Sequence, residues 1–340
     1  MRLRSHIIQS LRQYLLGQQF QEVQTPILAR SAGGAVARPF TTFSTEFSGK
    51  SLSLRIAPEL WLKRLVIGGI DRVFEIGPVF RNEGIDGTHN PEFYTCEFYE
   101  AFASLDDLIR KTEDLVAHLV KTVNILSTQN LNTIPRVAMD ECFTGQWKRL
   151  EFIPTIEQAL GRKLPDLSCP TAYGELMTIF EEEKLAVPTT PTLPRLLDRL
   201  CGECIEPQTI QSPTFITHHP AVLAPLAKAF LCPITNQLVS ARAELFINGK
   251  EIANMYEEEN DPAEQRRKLV EQRRFIDGAE GEVTGEVDED YLQAMEWGLP
   301  PTGGWGMGLE RLVMFLSGRD RIGDVCSFGT LRSVVGLGKI

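Results

Sequence analysis

"VFEIGPVFRNEGIDGTHNPEFYTCEFYEAF", Val73 to Phe102, reads as two strands joined by a charged, glycine-bearing loop. Arg81, Glu83, His89, Glu92, Glu97 and Tyr99 crowd the turn and one side of the second strand. In that strand Phe93, Thr95, Glu97 and Tyr99 share one face, and Tyr94, Cys96 and Phe98 the other. The second face reads as core. The first sets a carboxylate and a phenol side by side beneath an aromatic ring, which suits a cationic, hydrogen-bonding ligand. A solvated edge with an accidental acid satisfies the same parity equally well.

Working outward, a helix is expected from about Leu105 to Leu126. Upstream, "SLSLRIAPELWLKRLVIGG" predicts a strand over Leu52 to Ile56 and a helix opened by Pro58. "SAGGAVARPF" (31–40) is a loop. Residues 2–17 carry apolar side chains at helical spacing, and 20–24 read as a strand ended by Pro26. Residues 155–205 hold helical patterns broken by "VPTTPTLP", and are expected to be a helical insertion outside the sheet.

"ARAELFINGKEIANMYEEE" predicts a second hairpin, turning at Asn248-Gly249. Glu244 and Glu251 stand on its two arms, and Asn254, Tyr256 and Glu258 share a face. Glu251 and Asn254 have opposite parity, so a common site for them requires a β-bulge near Ile252-Ala253. Glu257 and Glu259 read as a solvated charge run. A charged helix is expected over 262–277. In "PPTGGWGMGLERLVMFLSG" a glycine-rich strand runs into an amphipathic helix. Gly303, Gly304, Gly306 and Gly308 allow close approach to the backbone. Arg311, taken alone, reads first as a structural ion pair.

Hairpins separated by helical excursions predict an α+β fold with a mostly antiparallel sheet. No GxGxxG follows a first strand and no GxxxxGK[ST] occurs. The net charge of −10 over 340 residues argues against non-specific nucleic-acid binding, so any basic contact area must be local. The seven cysteines (Cys96, Cys142, Cys169, Cys201, Cys204, Cys232, Cys326) are dispersed, as expected of reduced thiols inside a cell. Cys201 and Cys204 form a lone CxxC without a second pair at zinc-site spacing.

Three ordered stretches, "QEVQTPIL", "FRNEGIDGTHNPEF" and "GGWGMGLERLVMFL", resemble the motifs of class II aminoacyl-tRNA synthetases. "GGAVARPF", "LRIAPEL", "THNPEFYTCEFY" and "ELFINGKEIANMYEEENDP" resemble lysyl-tRNA synthetase in particular, from about Arg2 to Phe328. Tyr256 and "EEEN" resemble the fungal mitochondrial type. The resemblance implies one catalytic domain over 1–340, a six- or seven-stranded sheet with flanking helices, and a homodimer formed through the first motif. It implies no counterpart here of the family's N-terminal OB-fold, which reads the anticodon.

The implied reaction joins L-lysine to the α-phosphate of ATP and passes the lysyl group to the acceptor end of tRNA(Lys). By resemblance, Arg81 and Arg311 are catalytic, holding the α-phosphate and the γ-phosphate end of ATP. Glu83, His89, Asn90, Phe93 and Gly308 belong to the same ATP site, with Phe93 against adenine. Glu244 and Glu251 would contact ATP through Mg²⁺. Tyr99 and Glu258 would bind the lysine ε-ammonium. Gly34, Ala35, Glu59, Glu97, Asn254 and Tyr256 complete the lysine pocket. A mitochondrial or a cytoplasmic compartment fits. The rival readings are a paralogue that modifies a translation elongation factor, and a catalytically silent regulator. The second should have lost Arg81, Glu251 or Arg311, and all three are present.

Overall fold

The computed structural model describes residues 1–30, 33–35, 37–46, 49–129, 147–277 and 287–337. Cys142 and part of the 31–40 loop lie outside them. The chain divides into two units, Met1–Gln146 with Asp288–Ile340, and Trp147–Val287.

The first unit opens with α1 (Arg2–Gly17), which buries Leu3, Ile7, Leu11 and Leu15 at the expected spacing. Short strands follow: β1 (Gln21–Glu22), β2 (Leu28–Ala29), β3 (Thr41–Phe43) and β4 (Ser51–Leu54). Pro58 stands at the N-cap of α2 (Glu59–Ile67). The opening stretch forms β5 (Arg72–Phe80) and β6 (Glu92–Ala101), paired antiparallel from Arg72↔Glu100 to Phe80↔Glu92. The amphipathic α3 (Leu105–Gln129) follows.

The second unit holds β7 (Lys148–Glu151), α4 (Phe152–Leu160), α5 (Ala172–Glu182), α6 (Leu193–Cys204) and β8 (Thr214–Thr217). Next come β9 (Ala229–Leu231), β10 (Leu238–Ser240), β11 (Arg242–Ile247), β12 (Lys250–Glu257) and α7 (Pro262–Asp277). The chain then returns to the first unit with α8 (Glu289–Met295), β13 (Thr302–Gly308), α9 (Leu309–Ser317) and α10 (Leu331–Val334).

Strand order is β1-β5-β6-β13 in the first unit and β12-β11-β8-β7 in the second. In each unit one pair is parallel, β1 with β5 and β7 with β8, and the other pairs described here are antiparallel. The short β7, whose "KRLE" shows no apolar alternation, is a strand that the sequence reading did not anticipate. Its tether is the neighbouring Trp147, stacked on Phe215 at 5.8 Å.

The core of the first unit centres on β6. Phe98 stacks on Trp305 at 4.8 Å and meets Phe20 edge-on at 4.9 Å. Tyr94 shares that strand face but is exposed, correcting its expected place in the core. Its ring lies under Arg4 (5.4 Å), and its N–H bonds Glu310. Arg55 and Glu75 form a buried ion pair at 2.6 Å, completed by Thr25 and the Pro78 carbonyl. In the second unit, α4, α5 and α6 bury Phe152, Ile156, Leu176, Phe180 and Leu197 in one cluster with Ile216 of β8. No helix among the described residues is long and apolar enough to cross a membrane.

Candidate active site

β6 presents its Thr95, Glu97 and Tyr99 face beside β13, where the register sets Gly308, Gly306 and Gly304 against them in turn. Each of these three positions of β13 lacks a side chain, so the polar row of β6 has a clear flank there. Glu97 is 7% exposed. Burial first, then the nearby charge of Glu59, push its carboxyl up to about 8, with Arg81 and Arg55 opposing.

Glu59 opens α2 and is 3% exposed. Gly34 passes so close that a Cβ there would lie 2.9 Å from the Glu59 Cβ, and its φ of +90° is a region glycine favours. Ala35 follows, half-buried. One turn along α2, the fully buried Lys63 ammonium lies 2.6 Å from Glu59. The same ammonium is 6.0 Å from the Tyr99 ring centre and 5.7 Å from that of Tyr291.

The loop between β5 and β6 carries Arg81, and α9 carries Arg311. The Arg81 guanidinium lies 5.2 Å over the Phe93 ring. Glu83 is exposed, its N–H bonded to the Arg81 carbonyl. Asn90 serves the loop itself: it donates to the Glu92 carbonyl and accepts from the Leu331 N–H. Gly308 caps α9, and Arg311 lies in the first turn of that helix. Arg311 Nη2 meets His89 Nε2 at 2.9 Å.

The second unit holds the remaining candidates. Asn248 (φ 53°) and Gly249 (φ 71°) form the tight turn between β11 and β12. The register steps from Leu245↔Ala253 to Phe246↔Glu251, leaving Ile252 as the extra residue of a bulge. This is the irregularity that parity demanded. Glu251 and Asn254 now stand opposite Phe246 and Glu244, two residues apart on β11, and so share a face. Tyr256 stands opposite Arg242 on that face.

Glu244 is held by Arg242 and by His219 Nε2 at 3.2 Å. Burial alone would raise its pKa; Arg242, and then His219, bring it down to about 2. Burial lowers the pKa of His219 itself, so Arg242 supplies most of the charge that keeps Glu244 ionised. Arg242 Nε also donates to Asn254 Oδ1 at 3.2 Å. Glu258 is fully buried. Glu259, expected in a solvated run, is also buried, paired with Lys268 at 2.5 Å; Glu257 is half-buried. An ionised Glu244 with Glu251 on the same face is a hard-oxygen donor set that fits Mg²⁺, which fills its shell with water and phosphate.

The family model for class II tRNA synthetases (D, K and N) matches residues 1–332. The chain belongs to this family. Among similar class II synthetases are lysine–tRNA ligase cla4 of Cladosporium cladosporioides and the mitochondrial lysine–tRNA ligase of Schizosaccharomyces pombe. Both are 42% identical over 97% of this chain, covering 55% and 61% of their own lengths. Lysine–tRNA ligase 1 of Mycoplasmopsis pulmonis is 39% identical over 97% of this chain and 64% of its own. The chain thus spans rather more than half the length of these curated synthetases. Relatives named mitochondrial and cytoplasmic both occur.

Four residues of this synthetase chain bear on its candidate site and were missed in the sequence. Lys63 was foreshadowed by its place four residues after Glu59 on a predicted helix. Asp86, three residues before His89, was foreshadowed by the turn between them. Arg242 was foreshadowed by its place two residues before Glu244 on one strand face. His219 carries no local signal, because the pairing of β8 with β11 brings it to Glu244. Cys201 and Cys204 are ordinary: burial pushes both thiols up.

Proposed function

We propose that this chain, within a single catalytic domain, activates L-lysine with ATP to lysyl-adenylate and transfers the lysyl group to tRNA(Lys). The observation that carries the reading is Glu97, an acid held under a glycine-lined flank with its pKa pushed up to about 8. An incoming ammonium relieves that cost by supplying the missing charge. The lysine–tRNA ligase names of relatives at 39–42% identity support the same substrate.

In this reading Glu97, Tyr99 and Glu59, with Gly34 and Ala35, receive the amino acid. Glu258, Asn254 and Tyr256 complete its recognition, Glu258 as the partner of the ε-ammonium. The lysine carboxylate attacks the α-phosphate, and pyrophosphate leaves. Arg81 and Arg311 stabilise the charge that develops on the phosphates, which is the main demand of such a displacement. Phe93 carries the adenine face, and Glu83, His89, Asn90 and Gly308 line the nucleotide side. Glu244 and Glu251 would hold Mg²⁺, which supplies charge neutralisation on the phosphates. A homodimer formed through the "QEVQTPIL" segment completes the proposal.

Lysine-dependent ATP–pyrophosphate exchange tests the first step, and charging of tRNA(Lys) tests the second. Exchange driven by another amino acid, or by none, overturns the reading. Exchange with lysine but transfer only to a protein lysine assigns the chain to the modifying paralogue.

A further inference from the structure

The loop between β5 and β6 contains a three-residue chain of hydrogen bonds with one direction. Asp86 Oδ1 accepts the backbone N–H groups of Thr88 (2.7 Å) and His89 (2.8 Å), so the carboxylate is locked to its own turn. Both of its oxygens face His89 Nδ1, Oδ2 at 2.8 Å and Oδ1 at 2.9 Å, with the Thr88 hydroxyl at 3.2 Å. His89 Nε2 faces Arg311 Nη2 at 2.9 Å. The loop is anchored outside this chain as well: the Ile322 N–H bonds the Gly87 carbonyl, and the Leu331 N–H bonds Asn90.

An arginine can only donate, so His89 Nε2 must accept. The imidazole is therefore neutral, and its single proton sits on Nδ1, donated to Asp86. We infer that Asp86 is a positioning residue: by fixing His89 as the Nδ1–H tautomer, it makes Nε2 the acceptor that aims the Arg311 guanidinium. The hydrogen bond from the Thr88 N–H first, and that from the His89 side chain after it, hold the Asp86 carboxyl down at about 2 against burial, so the acceptor is present across the working pH range. This inference rests on the assignment of Arg311 to ATP.

The decisive variant is Asp86→Asn. Its carboxamide oxygen can keep both backbone bonds, so the turn survives. Its NH2 then replaces the Oδ2 acceptor at His89 Nδ1, which favours acceptance there and a proton on Nε2, where it meets an arginine donor. Nitrogen NMR of imidazole-labelled protein, with the His89 signal identified by its loss in His89→Gln, should show the Nδ1–H form in the parent and the Nε2–H form in Asp86→Asn. In pyrophosphate exchange, the KM for ATP should rise about tenfold in Asp86→Asn, the scale of one charge-assisted hydrogen bond, with the KM for lysine unchanged. In the His89→Gln background, where the amide oxygen accepts from Arg311 whatever residue 86 is, adding Asp86→Asn should change the KM for ATP less than about twofold.

An Nε2–H parent, or an Asp86→Asn protein that keeps the parent tautomer, overturns the inference. So does an unchanged KM for ATP in Asp86→Asn if Arg311→Lys raises it. If Arg311→Lys leaves that KM unchanged, the assignment of Arg311 to ATP fails, and the tautomer measurement still decides the hydrogen-bond chain.

Discussion

The charge of Glu59 reaches Glu97 within the first unit, and together with burial it pushes the Glu97 carboxyl up to about 8. The folded pKa is raised above the ordinary 4.5. The stability that depends on Glu97 is therefore complete below about 4.5 and is lost as pH rises through about 8. Glu97→Gln removes that loss. Its thermal unfolding should match the parent at about pH 4 and exceed it above pH 8, by on the order of a few kcal/mol. The same variant should lose lysine binding by calorimetry. Equal stability at both pH values would show that Glu97 is not a strained acid.

Gly34 leaves no room for a larger residue: a Cβ would strike that of Glu59 at 2.9 Å, at a φ of +90°. Gly34→Ala should raise the KM for lysine about tenfold or more and leave that for ATP within about twofold, since steric displacement of one wall costs roughly 1–3 kcal/mol. A parallel rise in both constants would assign the glycine to general folding.

Lys63 is fully buried against Glu59 at 2.6 Å. Lys63→Met removes the ammonium and leaves a buried carboxylate, so denaturant unfolding should show a loss of about 3–5 kcal/mol. Adding Glu59→Gln should recover much of that loss, because the charge without its partner is gone. Additive losses in the double variant would dissolve the pair.

Glu258 is fully buried near the end of the hairpin formed by β11 and β12. Glu258→Gln should lower kcat/KM for lysine activation by about 100-fold or more, as expected when a desolvated charge partner is lost. A near-normal exchange rate would remove Glu258 from lysine recognition.

Local chemistry made some of this legible. The Asn248-Gly249 turn needed two left-handed residues and has them, and the parity conflict between Glu251 and Asn254 required the bulge found at Ile252. The face of Glu97 and Tyr99 was visible from alternation, but alternation could not say that it was buried. Residues 95–100 of β6 are buried on both faces, so polarity no longer reports exposure there. Tyr94 escapes the core because it sits near the start of that strand, beside Arg4. Glu259 was hidden for a different reason. A charge in a sequence reads as solvated until its partner is known, and the partner of Glu259 lies nine residues away in α7. His219 depends on strands that meet only in the folded chain.

The pairing of Trp305 with Phe98 closes a loop that contains the whole second unit. During synthesis the N-terminal strands of the first unit emerge long before β13 exists, and the β6 edge stays open until then. Closing so long a loop is entropically slow, and an open edge is a template for mispairing. A ribosome stalled within the second unit should therefore display a β6 that engages chaperones, and release of the segment bearing β13 should end that engagement.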